Sequence, residues 1–292
     1  MRVRFWGVRG AIAATQPDCQ GTGGNTPCVE VRDSEGELIV LDAGMGLYWL
    51  GRSLLAGPHG RGQGSAALLL SHTHWDHIQG IPFFVPMFIP GNKVDIYGGG
   101  VEHLENVLEG QMNPDYSPIV SLSNFGGTVK IADLQTHDQL EIGTLKITTQ
   151  TYANGPHQIV GFRMEEATGG GALCYVPEVH YRDGVLNPDV IELARGAKAL
   201  IHEAFYTNEE LAQGGTSLAG PLAPKADGHS CFSQAVDLAL AAEVEKLYFF
   251  YHHPDHNDAT LEASLEAERE RVKAKGATLE LDLAREGREF SL

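Results

Sequence analysis

The sequence predicts an α/β protein, a four-layer αββα sandwich in which helices cover the outer faces of two sheets. Three observations support this fold. Strand-like segments come first, strand and helix patterns then alternate in both halves, and residues 66–70 form a continuous apolar run typical of a strand buried on both faces. Because the 292 residues contain no internal repeat and no low-complexity linker, we expect one domain spanning residues 1–292.

The first half of the chain contains five predicted strands. Residues 2–6 are predicted to be the first strand rather than part of a secretory signal. A secretory signal would require a long apolar stretch after the basic residues, and none follows them. Asp33-Ser34-Glu35-Gly36 has the composition of a turn and predicts that the segments on either side of it pair as strands. Residues 51–65 are rich in glycine and are predicted to be mostly loop after a short helical stretch. The remaining strands of this half cover residues 29–32, 37–41, 66–70 and 93–97.

The second half combines four predicted strands with two predicted helices. Residues 233–245 are apolar enough for a mostly buried helix, with Ser233 as its N-cap. Residues 259–275 form a charged surface helix with an apolar inner face, and Gly276 stands at its C-terminal end. The four strands cover residues 145–151, 173–176, 197–203 and 247–252.

Charge and composition limit the partners of the protein. Twenty-one Lys and Arg against 38 Asp and Glu give a formal net charge of −17, and such a surface repels RNA, DNA and anionic membranes. A small anionic substrate is still compatible with this charge, because bound metal ions reverse the local field. The longest apolar run, residues 81–90, is interrupted by prolines and spans about half a bilayer. We therefore expect a cytoplasmic protein with a small anionic substrate, no long nucleic acid partner and no membrane attachment.

The cysteines are too few and too widely spaced for a disulfide framework in a chain of this size. They form no C-x-x-C pair, so we expect buried thiols. The four are Cys19, Cys28, Cys174 and Cys231.

Four candidate metal ligands follow the buried strand at residues 66–70. Side chains two positions apart in an extended segment point the same way, so His72 and His74 can share one ion. Asp76 and His77 come where the chain would turn, and they can face a second ion beside the first. Imidazole and carboxylate ligands suit zinc, manganese or iron, and two such ions can hold a hydroxide between them. This spacing therefore predicts a hydrolytic centre with two divalent ions, which we take to be zinc with manganese or iron as alternatives.

Two ions with open positions require roughly six to eight protein ligands, so other parts of the chain must contribute. Histidine and acidic residues near predicted strand ends are the candidates. They are His157, Glu178, His180, Glu203, His229, His252, His253 and His256.

The cluster resembles the H-x-H-x-D-H hallmark of the metallo-β-lactamase superfamily. The sequence is most similar to the branch that contains tRNA-processing ribonuclease Z and the cyclic phosphodiesterases. The similarity extends over most of the chain and includes the segments RFWGVRG at 4–10, GGNTPCVE at 23–30, LDAGMG at 41–46, HIQGIPFF at 77–84, LEGQM at 108–112, GHS at 228–230 and HHPDH at 252–256. This resemblance implies the four-layer sandwich fold of that superfamily, and it also implies a homodimer.

The resemblance assigns roles to individual residues. It implies that His72 and His74 bind the first ion, and that Asp76, His77 and His252 bind the second. Asp42 would brace the metal loop.

The resemblance also implies a reaction. A metal-bound hydroxide, positioned by Asp76, would attack the phosphorus of a phosphodiester. His229 of the GHS segment would face the scissile phosphate and protonate the leaving oxygen.

The sequence departs from the family pattern at two ligand positions. The family usually has Asn-His-Pro where this chain has Asn154-Gly155-Pro156, so His157, two residues further on, is the candidate replacement. Glu178 stands where the family has a bridging aspartate, and its carboxylate reaches one methylene further. Both changes indicate a remodelled metal centre.

Three functions remain open from the sequence. The first is hydrolysis of a small phosphodiester or cyclic nucleotide. Gly155 and Glu178 favour a second, a catalytically degenerate metal- or nucleotide-binding protein. The third is a lactone or thioester hydrolase, against which His229 argues because that chemistry does not need it. Residues 81–90, with Met112 and Tyr116, would form an apolar wall for a base, a packed core or a dimer interface.

Overall fold

The computed structural model describes residues 1–292 except 100, 102, 120 and 216–227. The described residues contain two large β-sheets. Their strands, in chain order, are β1 (Arg2–Gly7), β2 (Cys28–Arg32), β3 (Leu38–Leu41), β4 (Ser65–Leu70), β5 (Lys93–Gly98), β6 (Thr128–Asp133), β7 (Gln139–Ile142), β8 (Leu145–Asn154), β9 (His157–Glu166), β10 (Ala172–Val176), β11 (Ala199–Glu203), β12 (Lys246–Phe250), β13 (Glu280–Leu283) and β14 (Glu289–Ser291).

Helices occupy the segments between these strands. They are α1 (Gly46–Leu54), α2 (Trp75–Ile78), α3 (Leu104–Gly110), α4 (Pro188–Ala194), α5 (Asn208–Ala212), α6 (Phe232–Ala241) and α7 (Asp258–Ala274).

Each sheet has seven strands. The first has the order β14-β1-β2-β3-β4-β5-β6, and the second has the order β13-β12-β11-β10-β9-β8-β7. Strands β3 to β6 run parallel, as do β10 to β13, so the chain leaves several neighbouring strands at the same edge of each sheet. The candidate site lies at the C-terminal ends of these strands. Polar residues stand close to the ends of β3, β4, β10, β11 and β12.

Three apolar layers hold the sheets and helices together. Phe5 and Leu41 of the first sheet pack against Phe162 and Phe250 of the second. Helices α1 and α3 cover the outer face of the first sheet, and α4, α6 and α7 cover the outer face of the second. Alternate side chains of each central strand therefore enter the layer between the sheets and the layer under the helices. The predicted αββα sandwich is confirmed.

The predicted strands all occur, with ends within three residues of the observed ones, and the two predicted helices correspond to α6 and α7. Gly276 follows α7 with φ of +67°, the left-handed conformation expected after a helix end. The prediction of a single domain stays a prediction.

Two local predictions were wrong. Ser233 is not the N-cap of α6, because Cys231 has the extended backbone at the cap and its N–H donates to the Gln234 side chain at 3.2 Å. The Gly-rich sequence around His59 predicts a surface residue, but His59 is buried and its Nε2 lies 3.0 Å from the carbonyl oxygen of Ser65.

The cysteines behave as predicted, since all four are buried and free. In the part of the chain that the structure describes, no helix combines the length and the apolar character needed to cross a membrane.

Candidate metal centre

The loop after β4 brings two histidines together. His74 precedes α2 with extended backbone angles, φ −60° and ψ 150°, so the chain has not yet turned into the helix when it passes His72. The two rings meet edge to face with centroids 4.4 Å apart. Nε2 of His72 and Nδ1 of His74 are 3.0 Å apart. The two nitrogens thus point toward one location, as the two-residue spacing predicts.

Glu178 joins these histidines from the second sheet. It follows β10 by two residues, and its Oε2 lies 2.9 Å from His72 Nε2 and 3.5 Å from His74 Nδ1. We call His72, His74 and Glu178 the metal trio, because one ligand atom from each lies within 4.8 Å of the others. His72 and Glu178 are buried, whereas the His74 side chain is 40% exposed, so the trio opens to solvent on the His74 side.

The metal trio fits a divalent cation. Glu178 Oε2 is buried and accepts no hydrogen bond despite its nearness to His72, whereas Asn154 donates to the other oxygen at 2.8 Å and orients the carboxylate. Burial lowers the pKa of His72, so its imidazole is neutral at pH 7 and offers a lone pair. Ligand atoms around a tetrahedral zinc are about 3.3 Å apart, close to the three separations observed.

Asp42 stabilises the loop after β4 through buried hydrogen bonds. It follows β3, is fully buried, and accepts hydrogen bonds from the Ser71 N–H at 2.8 Å and the Tyr175 hydroxyl at 2.7 Å. The same carboxylate lies 2.8 Å from Nδ1 of His77. That contact fixes the His77 ring and leaves its Nε2 directed away from Asp42.

The predicted second pair, Asp76 and His77, is arranged differently from the trio. His77 Nε2 is buried without a hydrogen-bond partner and lies 3.3 Å from Asp76 Oδ2. The same Asp76 oxygen accepts the Tyr251 hydroxyl at 2.7 Å and the Ala11 N–H at 3.0 Å. Although burial opposes it, the carboxylates of Asp76 and Asp42 raise the pKa of His77 to about 9.

Tyr251 and His252 follow β12 next to this pair. Tyr251 has φ of +59°, and its ring stacks on His77 with centroids 5.3 Å apart. His252 Nε2 lies 3.0 Å from the Ala284 carbonyl oxygen, and its Nδ1 is buried without a hydrogen-bond partner among the described residues. That His252 binds the second ion stays a prediction. Among the described residues, only the trio gathers three ligand atoms at one point.

His157 lies beside the trio without joining it. It begins β9 directly after the turn at Gly155, and its ring meets that of His74 with centroids 4.7 Å apart. Gly155 has φ of +60°, and a Cβ built on it would contact nothing within 4 Å. The glycine therefore serves the hairpin turn and leaves open space where the family's histidine would stand. That His157 replaces this ligand stays a prediction.

His229 forms a buried pair with Glu203. Its Nδ1 lies 3.0 Å from Glu203 Oε2, and its ring stacks on Phe205 with centroids 4.2 Å apart. Burial raises the pKa of Glu203 to about 7. Burial would lower the pKa of His229, but the carboxylate of Glu203 outweighs it and raises that pKa above its ordinary value. Tyr251 connects this pair with the metal loop, because its ring lies 5.6 Å from His229.

Two other candidate histidines have partners outside the metal trio. Nε2 of His256 lies 2.9 Å from Glu210, and the Asp255 N–H donates to Nδ1 of His253 at 3.1 Å. Sequence reasoning missed the two tyrosines of the site, Tyr175 and Tyr251. Their signal was position alone, since each stands at a strand end next to a residue that had been singled out.

The comparisons with known proteins agree with this architecture. The family profile described as "Beta-lactamase superfamily domain" matches residues 38–253, which include every residue of the metal trio and the Glu203–His229 pair. No curated protein matches the chain.

Solved structures of the same fold cover the whole chain. Zn(2+)-bound PqqB from Methylobacterium extorquens is 17% identical, with a TM-score of 0.71 and 100% of both chains covered. A diphosphatase from the PhnP family is 18% identical, with a TM-score of 0.65, covering 100% of this chain and 97% of its own. Human tRNase Z, short form, is 18% identical, with a TM-score of 0.63, covering 100% of this chain and 99% of its own. At these identities the similarity establishes the fold.

Proposed function

This chain belongs to the β-lactamase superfamily domain family, and from that premise we propose that it is a metal-dependent hydrolase of a small phosphodiester. One observation carries the proposal. The metal trio opens to solvent beside the Glu203–His229 pair, so ligands for an ion and a histidine able to donate a proton lie at one edge of the two sheets. The structural neighbours include a diphosphatase and a tRNase, which favours phosphorus chemistry. The net charge of −17 favours a small substrate over RNA.

We propose that the required ion is zinc held by His72, His74 and Glu178. When bound there, a divalent ion would polarise a phosphoryl oxygen and lower the pKa of water. Among the described residues, no second set of three ligand atoms gathers at one point for the expected second ion, and Asp76 accepts hydrogen bonds from Tyr251 and Ala11.

His229 is suited to act as the general acid. Its Nδ1 contacts the Glu203 carboxylate, so the opposite ring nitrogen is the one that can donate a proton to the substrate. Although burial opposes it, the carboxylate of Glu203 raises the pKa of His229 above its ordinary value, which favours the protonated ring. It can therefore protonate an alkoxide as the P–O bond breaks.

The test compares two substrates that differ in the leaving group. Zinc- or manganese-loaded protein should cleave bis(p-nitrophenyl) phosphate, which needs little acid assistance, and 3′,5′-cyclic AMP, which leaves as an alkoxide. We expect His229→Gln to lower kcat about 100-fold for the cyclic nucleotide, and far less for the nitrophenyl ester, with metal content unchanged. His103→Gln, at an exposed position, is the control. Absence of turnover with both metals would contradict the proposal.

The pH dependence supplies a second prediction. Glu203→Gln replaces the carboxylate that raises the pKa of His229 by a neutral amide. The protonated ring is the active form for cyclic AMP, so activity falls as pH rises through that pKa. We therefore expect the alkaline limb of the kcat–pH profile to move to lower pH in Glu203→Gln. Glu210→Gln, which alters a separate histidine–glutamate pair with His256, should leave the profile in place.

The binding-protein alternative also has support in the structure. The Tyr251 hydroxyl donates to Asp76, and Gly155 stands where the family has a ligand histidine. A protein that binds zinc without turnover is therefore the second candidate. Zinc retention with no cleavage of either phosphodiester would favour it. The lactone or thioester reading is weaker, because the Glu203–His229 pair has no role in that chemistry.

A further inference from the structure

A cavity of about 430 Å³ adjoins the loop after β4 that carries His72 and His74, on the solvent side of that loop. It shares two residues with that loop, since Thr73 lies between the two histidines of the trio and Trp75 follows His74. The opposite wall comes from the end of α3 and the segment after it, including Gln111 and Tyr116. We call this space the aromatic cavity. Its volume suits a small-molecule group rather than a single ion.

Three aromatic side chains around the cavity are unusually exposed. Trp75 is 84% exposed, Tyr116 is 69% exposed and Phe83 is 41% exposed. By contrast Met112, which sequence analysis placed in the same wall, is fully buried in the core. The Tyr116 hydroxyl donates to the Gly110 carbonyl at 2.6 Å, which fixes its ring at the cavity. Exposed rings at a cavity offer flat surfaces on which another planar ring can stack.

Two glutamine amides are among the polar groups that line the cavity. Gln111 Nε2 is buried and, among the described residues, has no hydrogen-bond partner. Such a donor is unfavourable until an acceptor reaches it. Gln79 donates to Thr26 at 2.6 Å, which orients its amide at the cavity wall. The described lining residues carry no charge, so the cavity suits a neutral group with an acceptor atom.

We propose that the aromatic cavity binds the base of a nucleotide substrate, with Trp75 stacking on the ring and Gln111 donating to an acceptor at its edge. This rests on the proposed function in one respect, because the phosphodiester of the same molecule would lie at the metal trio. The distribution of charge agrees with it: the neutral part of the substrate meets neutral residues, and the anionic part meets the ion-binding side.

Calorimetric titration of the purified protein with adenosine, and with ribose as the probe that lacks a base, tests the proposal. Adenosine should bind and ribose should not. Trp75→Ala and Gln111→Leu should each weaken adenosine binding roughly tenfold or more. Trp49→Ala, also an exposed tryptophan but outside the cavity, and Gln135→Leu, an exposed glutamine, are the matched controls. Gln111→Leu is expected to fold, because the donor that it removes has no partner.

Adenosine has no phosphodiester, so its binding is independent of hydrolysis. Adenosine binding without turnover would support this inference and contradict the proposed function. Turnover of cyclic AMP with unchanged KM in Trp75→Ala and Gln111→Leu would support the proposed function and contradict this inference. Sedimentation velocity provides the other decisive outcome. If Trp75→Ala converts a dimer into a monomer and adenosine does not bind, a second copy of this chain covers the cavity and the proposal is overturned.

Discussion

The Glu178→Ala protein is expected to elute from gel filtration without a metal ion and to lack phosphodiesterase activity. Glu178 supplies the only carboxylate of the metal trio, and its Oε2 has no hydrogen bond to compete with an ion. Loss of a group that merely orients a ligand costs 10–100-fold in metal affinity, so loss of a ligand itself should cost at least about 100-fold. Elemental analysis measures the metal content, and zinc competition with a chromophoric chelator measures the metal affinity.

Comparison variants make this prediction specific. Glu192→Ala removes a carboxylate that is 73% exposed on α4 and should leave one zinc per chain. His252→Ala should also keep the ion, since its ring bonds to Ala284. His157→Ala measures the contribution of the ring next to His74. Full zinc retention in Glu178→Ala, or equal loss in His252→Ala, would contradict the assignment of the trio.

The sequence predicted the two members of the trio that are local. His72 and His74 are two residues apart after an apolar strand, so extended geometry alone aligns their side chains. Glu178 was one of several strand-end candidates, and only the resemblance singled it out, because it belongs to the other sheet and nothing in local spacing relates it to the loop. Its partner Asn154 was noted only as part of the altered Asn-Gly-Pro segment, and its hydrogen bond to Glu178 joins residues 24 positions apart.

Tyr251 shows why spacing alone does not fix the orientation of side chains at the end of a strand. Within a strand a shift of one residue reverses the face of every side chain. The left-handed backbone of Tyr251 interrupts this alternation, and its phenol donates to Asp76. A sequence that reads Tyr-His at this point does not reveal which of the two side chains faces the site.

Edge strands were missed for a different reason. Strands β6 and β7 lie at the edges of the two sheets and are half exposed, so few of their positions must be apolar. In β6 only Val129 and Ile131 mark the alternation. So short a pattern does not distinguish a strand from a loop.

Arg9→Met is expected to lower the free energy of unfolding by about 3–5 kcal/mol, because several buried carbonyl groups would lose their donor at once. The Arg9 guanidinium is fully buried and donates to four carbonyl oxygens on two segments of the chain. Its Nε bonds to Gly23 at 2.7 Å and its Nη1 to His256 at 2.6 Å. Further bonds reach His253 at 3.1 Å and Cys19 at 3.3 Å.

Urea unfolding followed by circular dichroism measures the effect, with Arg2→Met as the control. Arg2 is exposed, and with the described residues its side chain forms only a long ion pair, to Glu289 at 3.7 Å, so its loss should change stability by less than about 0.5 kcal/mol. Burial lowers the pKa of the Arg9 guanidinium, so the charge itself is unfavourable, and the hydrogen bonds are what offset it. Arg9→Lys keeps the charge but has three donors for four acceptors, and should fall between Arg9→Met and the wild type. If Arg9→Met unfolded at the wild-type urea concentration, the guanidinium would not connect the residue 19–23 loop to the loop after β12, and the edge that carries the site would be held by its strands alone.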